Sequence, residues 1–130
     1  QKTTMRLLSP PPDKPEQRKQ WLAHAFGKIL FQHAHRYALE NIAADATPET
    51  QAVARKAAED TLYGLMMILD GVVDDLENEQ YRLALAAQIQ LIRQDNGEVA
   101  DSLDLTDTDG LCMVFHDWKE DKFDTLQATP

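Results

Sequence analysis

The chain has 130 residues, 13 Lys+Arg against 22 Asp+Glu, a formal net charge of −9, and a single cysteine. That length is one ordinary domain. One thiol excludes an internal disulfide scaffold, and 43% hydrophobic with 27% charged residues excludes a collagen-like or fully disordered chain.

Residues 1–15 contain Pro10, Pro11, Pro12 and Pro15. Proline lacks an amide proton and biases its predecessor away from helix, so an extended lead-in is expected. Pro12-Asp13-Lys14-Pro15 has the spacing of a PxxP ligand, although a tether explains the same residues more simply. Leu7 and Leu8 run straight into Ser9-Pro10, so no apolar signal region forms there. The longest apolar run, Leu65 to Leu69, is too short to span a bilayer. With a lone Cys112, a reducing compartment and hence the cytoplasm are expected. The chain opens at Gln1 rather than Met, which leaves room for a preceding segment.

A first helix is expected from Pro15 to about Ala43. Trp21, Leu22, Ala25, Phe26, Ile29, Leu30, His33 and Tyr37 recur at helical spacing as one apolar stripe. Asp45 to Pro48 breaks it, with Thr47 as N-cap and Pro48 as first residue of a second helix. That helix runs to about Leu69, with a core stripe of Val53, Ala57, Ala58, Thr61, Leu62, Leu65, Ile68 and Leu69, and Gly71 as its C′ residue. The short link predicts an antiparallel pair.

Over residues 81–106 the period changes. Tyr81, Leu83, Leu85, Ala87, Ile89 and Leu91 occupy alternate positions, the mark of a half-buried strand. Asn96-Gly97 then suits a type I′ turn, and Val99, Leu103 and Leu105 continue beyond it. A β-hairpin is expected; the rival is a third helix over 79–94, since its residues are good helix formers. Leu111, Val114, Phe115 and Trp118 have helical spacing and predict a short helix or helical turn packed on the hairpin, although Cys112 to Phe115 also suits a strand. The expected fold is therefore α+β: an N-terminal antiparallel pair of long helices packed on a C-terminal β-hairpin, with a short terminal helical segment. Residues 16–124 form the single domain and 125–130 a frayed tail.

Charge is uneven: residues 1–36 sum to +5 and residues 70–130 to −11. An acidic face repels nucleic acid and anionic membranes and attracts basic proteins, although such charge also serves solubility alone. The candidate partner face consists of Asp74, Asp75, Glu77, Glu79, Asp101 and Asp104, with Trp118 as an aromatic anchor or a core residue. No catalytic residue and no cofactor are expected. P-loop, GxGxxG, GxSxG, HExxH and CxxC patterns are absent, and the acidic runs after Asp70 and Asp104 lack the spacing of a calcium loop. Cys112 and His116 would share a helical face as a weak dyad, with a buried, inert thiol the simpler reading. The alternative function is a small metal-binding or hydrolytic domain using His33, Asp70 and His116, and it requires these groups to converge. His33 and His35 lie about 200° apart on a helix and cannot share a metal from one face.

Thr61 to Val72, with its Leu69-Asp70-Gly71 ending, and Asp109 to Phe123, with His116-Asp117-Trp118, resemble small bacterial proteins of unassigned function, among which immunity proteins of interbacterial toxin systems occur. The resemblance spans residues 50–124 and implies a non-enzymatic accessory domain. The leading expectation is an intracellular interaction protein that binds a basic partner, with a homodimer through the helices or the hairpin edge as a third reading.

Overall fold

Pro15 fixes the first backbone angle of a helix and gives up only an amide proton that would have no partner there. In the computed structural model, which describes residues 5–129, that helix comprises α1 (Pro15–Ile29), a π turn (Leu30–His35) and α2 (Arg36–Glu40). Residues 1–4 of the expected lead-in and Pro130 of the expected tail lie outside the described residues.

The π turn corrects the predicted stripe. A wider i→i+5 turn inserts one residue and rotates the remainder of the helix by about 100°. The inward series therefore passes from Leu30 to His35, and His33 and Tyr37 are exposed. Phe31 and His35 stack at 4.8 Å, and Phe31 lies 5.3 Å from Phe115.

α3 (Pro48–Asp70) begins where Thr47 Oγ1 accepts the amide of Thr50 at 3.1 Å. It ends in a Schellman arrangement: Gly71 has φ 72°, its N–H donates to Ile68, and Val72 N–H donates to Met67. Met66 and Leu69 are buried and Leu62 is half-buried, but Val53, Leu65 and Ile68 of the expected core stripe are exposed.

Two small antiparallel sheets come next in the chain. β1 (Leu76–Glu77) pairs with β2 (Arg82–Leu83), and β3 (Gln88–Ile92) pairs with β4 (Val99–Asp104). Residues 81–94 do not form a third helix. The loop from Arg93 to Glu98 is not the expected type I′ turn. Gly97 has φ 74° but Asn96 does not have positive φ, and type I′ requires it at both. Ile89, Leu91 and Leu103 face α1.

Leu111–Lys119 is a helix, α4, with Leu111, Phe115 and Trp118 buried. It packs between α1 and α3 rather than on the paired strands, and of the two long helices only α1 covers those strands. The reason is Gly27, which presents bare backbone to the Trp118 indole. The expected frayed tail is fastened as far as Thr129: Leu126 is buried, Leu7 bridges Ala128, and Thr129 N–H donates to Arg6 at 2.9 Å.

Candidate interaction surface

The acidic residues separate into two groups according to what the fold gives them. Asp101 lies on β4 against α1. Arg18 Nε donates to one of its carboxylate oxygens at 2.5 Å and Lys19 Nζ to the other at 2.9 Å, while Lys19 also donates to the Ser102 carbonyl. The lysine and arginine bonds hold the Asp101 carboxyl well below the usual carboxylate range, and its side chain is mostly buried. Asp104 Oδ1 accepts the hydroxyl of Thr106 at 2.6 Å and its amide at 2.9 Å; these bonds lower its pKa and shape the loop after β4. Asp101 thus fastens a strand to a helix, and neither residue is a free charge on a partner face.

Asp74, Asp75, Glu77 and Glu79 behave differently. Every residue from Gly71 to Ala86 is exposed. Among the described residues, none of the four carboxylates has an ion-pair partner or a side-chain hydrogen bond. They stand on an arm that leaves the end of α3, turns at Asn78 and returns through β2. Asn78 Oδ1 accepts the amides of Gln80 and Tyr81 to close that turn. The arm also carries Leu76 at 69% exposure, Tyr81 at 71% and Leu83 at 66%. Its register places Leu76 opposite Leu83 and Glu77 opposite Arg82. Successive residues of a strand face opposite ways, so the arm has one apolar face and one charged face.

Trp118 is a core residue, 1% exposed, and not a surface anchor. Its indole N–H donates to His24 Nδ1 at 3.1 Å. Indole only donates, so neutral His24 carries its proton on Nε2. Burial lowers the His24 pKa against the opposing pull of Asp124 and Asp117.

The groups of the alternative metal reading are engaged separately or stand apart. Asp70 caps α4 from the end of α3: its two oxygens accept the amides of Leu111 and Cys112, each at 2.8 Å. His33 is exposed on the π turn, and His116 lies beside Tyr63 with ring centroids 5.6 Å apart. Among the described residues no three His, Cys, Asp or Glu side chains are grouped to hold a metal ion. Burial and the Asp70 carboxylate both raise the Cys112 pKa, which keeps the thiol protonated, the reverse of an activated nucleophile.

A cleft of about 670 Å³ lies between α1 and the start of α4, with Glu16, His24, Asp104, Asp107 and Asp109 in its lining. Thr108, the one hydroxyl there, accepts the Gly110 amide at 3.2 Å. No helix of the described residues is long and apolar enough to cross a membrane.

No protein-family model matches the chain, and no curated protein or solved structure is significantly similar to it.

Helical periodicity misplaces the outer face of α3. It assigns Val53, Ala57, Thr61, Leu65 and Ile68 to the core, and all five are exposed. A signal was present: with Ala54, Ala58, Leu62, Met66 and Leu69 also apolar, α3 carries a wider apolar band than one core contact uses.

Proposed function

We propose that this chain is a non-enzymatic intracellular interaction protein that docks a basic protein partner through the arm of residues 71–86, in an accessory role of the immunity or antitoxin kind. One observation carries the reading: Asp74, Asp75, Glu77 and Glu79 are exposed, and unpaired among the described residues, on a projecting element whose only base is Arg82. Carboxylates satisfied inside a fold contribute little to steering. Free ones on a projection attract a basic surface and raise the association rate. The apolar side chains beside them supply surface that a partner can desolvate.

The test is affinity capture from extract of the source cells, with wild type as bait beside a variant carrying Asp74→Asn, Asp75→Asn, Glu77→Gln and Glu79→Gln. A basic protein retained by wild type, lost by the variant, and released as salt rises several-fold above roughly 0.15 M supports the reading. Equal retention by both baits, insensitive to salt, ends it.

A further inference from the structure

The outer face of α3 is apolar along nearly its whole length and nothing among the described residues covers it. Val53, Ala57, Thr61, Gly64, Ile68 and then Val72 recur at spacings of four, four, three, four and four. Val53 is 70% exposed and Ile68 46%, and nothing lies within 4 Å of a Cβ placed on Gly64. We propose that a second copy of this chain covers this face, with the two α3 helices antiparallel about a twofold axis between Thr61 and Gly64.

Three features select this occupant. The first is shape. An antiparallel pair about that axis sets Thr61 against Gly64 and Ala57 against Ile68, with Val53 opposite the segment that leaves the other helix after Gly71. Small residues then meet larger ones, as close helix packing requires, and a twofold interface must be self-complementary in this way. The second is charge. Glu49, Arg55, Lys56, Glu59 and Asp60 all lie between the start of α3 and the residue just past its midpoint, and Asp70 is the only charge after them. Antiparallel pairing sets each charged half against an uncharged one, whereas parallel pairing would oppose Lys56 to Lys56 and Asp60 to Asp60.

The third is area. A fully exposed aliphatic side chain offers roughly 60–120 Å² of apolar surface and a tyrosine about 200 Å². Weighted by their exposures, the large side chains of the α3 face and of the arm together offer about 500 Å² per copy. At the usual apolar share of about 60%, that corresponds to about 800 Å² per partner, the size of a stable interface. The arm belongs in this count because each arm leaves its own helix beside the first half of the other copy's α3.

The proposal rests on different observations from the basic-partner reading, competes with it for the apolar side of the arm, and responds oppositely to salt. Two copies of net charge −9 repel, so screening leaves an apolar dimer intact or tighter. The test is sedimentation velocity of the purified chain alone, up to about 100 µM. The expected species has twice the 14.7 kDa chain mass and persists as salt is raised. Ile68→Glu and, separately, Ala57→Glu should each weaken the dimer roughly a hundred-fold or more, because a twofold interface meets each substitution twice. Both positions are exposed, so circular dichroism and the melting curve should show a folded monomer. A wild-type monomer throughout this range overturns the proposal and leaves the face to another protein. So does a dimer that survives both substitutions, or one that dissociates on adding salt.

Discussion

Gly27→Ala should destabilise the protein, although it replaces the poorer helix former with the best one. In an open helix the exchange gains about 1 kcal/mol. Here a Cβ at position 27 would stand 2.7 Å from Cζ2 of Trp118 and closer still to Cδ2 and Cε2, where ordinary contact begins at 3.4 Å. The indole must withdraw by roughly 1 Å, a displacement a close-packed interior resists. Phe26 and Phe115 lie edge-on to it at 6.2 and 6.5 Å, and its N–H is tied to His24. Overpacking costs about 1–3 kcal/mol and loss of the Trp118–His24 bond about 1 more. After the propensity gain, the net loss is about 1–3 kcal/mol, a fall in Tm of about 4–12 °C for a domain of this size. Urea and thermal melts followed by circular dichroism measure it. In a Trp118→Leu background the obstacle is gone, and the same Gly27→Ala change should stabilise by about 1 kcal/mol. If Gly27→Ala raises stability with Trp118 in place, the account of α4 seated on bare α1 backbone is wrong.

Asp101→Asn should cost about 2 kcal/mol at neutral pH, since it leaves Arg18 and Lys19 without their carboxylate. The folded pKa of Asp101 is depressed, so its contribution is complete above the unfolded value near 4 and drains as pH falls. Urea melts between about pH 5 and 2 should therefore show a shallower acid loss in the variant than in wild type. Asp70→Ala removes both acceptors at the start of α4 and should cost about 2 kcal/mol, and hydrogen exchange should report early opening of residues 111–119. His24 should titrate below 6.5 by NMR, and the Trp118 indole proton should shift with it, because a protonated imidazole has no acceptor left. Gly64→Ala, measured in the Ile68→Glu background, should stabilise by about 0.5–1 kcal/mol because its Cβ meets nothing.

The starts of α1 and α3 and the end of α3 were legible because their signals are local: Pro15, Thr47-Pro48 and Gly71 act on their own neighbours. The π turn was not, because no proline or glycine marks it. It brings Phe31 onto Phe115 and His35 to within 2.8 Å of Glu59, partners far away in sequence. Charge counting failed at Asp101 for the same reason. Its cations sit on α1, more than eighty residues earlier, and only tertiary structure removes the carboxylate from the surface. The alternation from Tyr81 to Leu91 is real, but pairing cannot follow it. β4 ends at Asp104, a last ladder bond joins Leu105 to Ala87, and the chain then turns toward α4. Strand-patterned residues before Ala87 cannot join β4; Arg82 and Leu83 pair only with the short β1, and with no helix packed over that pair Tyr81, Leu83 and Leu85 end up exposed.

The same lack of cover governs how the arm works. β1 and β2 share two residue pairs, and among the described residues no other element packs against them closely. Ordering a residue costs about 1–2 kcal/mol, and a two-stranded hairpin without a covered face is marginal in water. The arm is therefore the least stable unit of the fold when free, and burying its apolar face adds most where internal packing adds least. Any cover raises its protection from hydrogen exchange, but the reach of that protection differs. A second copy protects the arm together with the outer side of α3. A basic partner slows exchange in the arm alone and leaves the segment around Val53 and Ile68 as accessible as before.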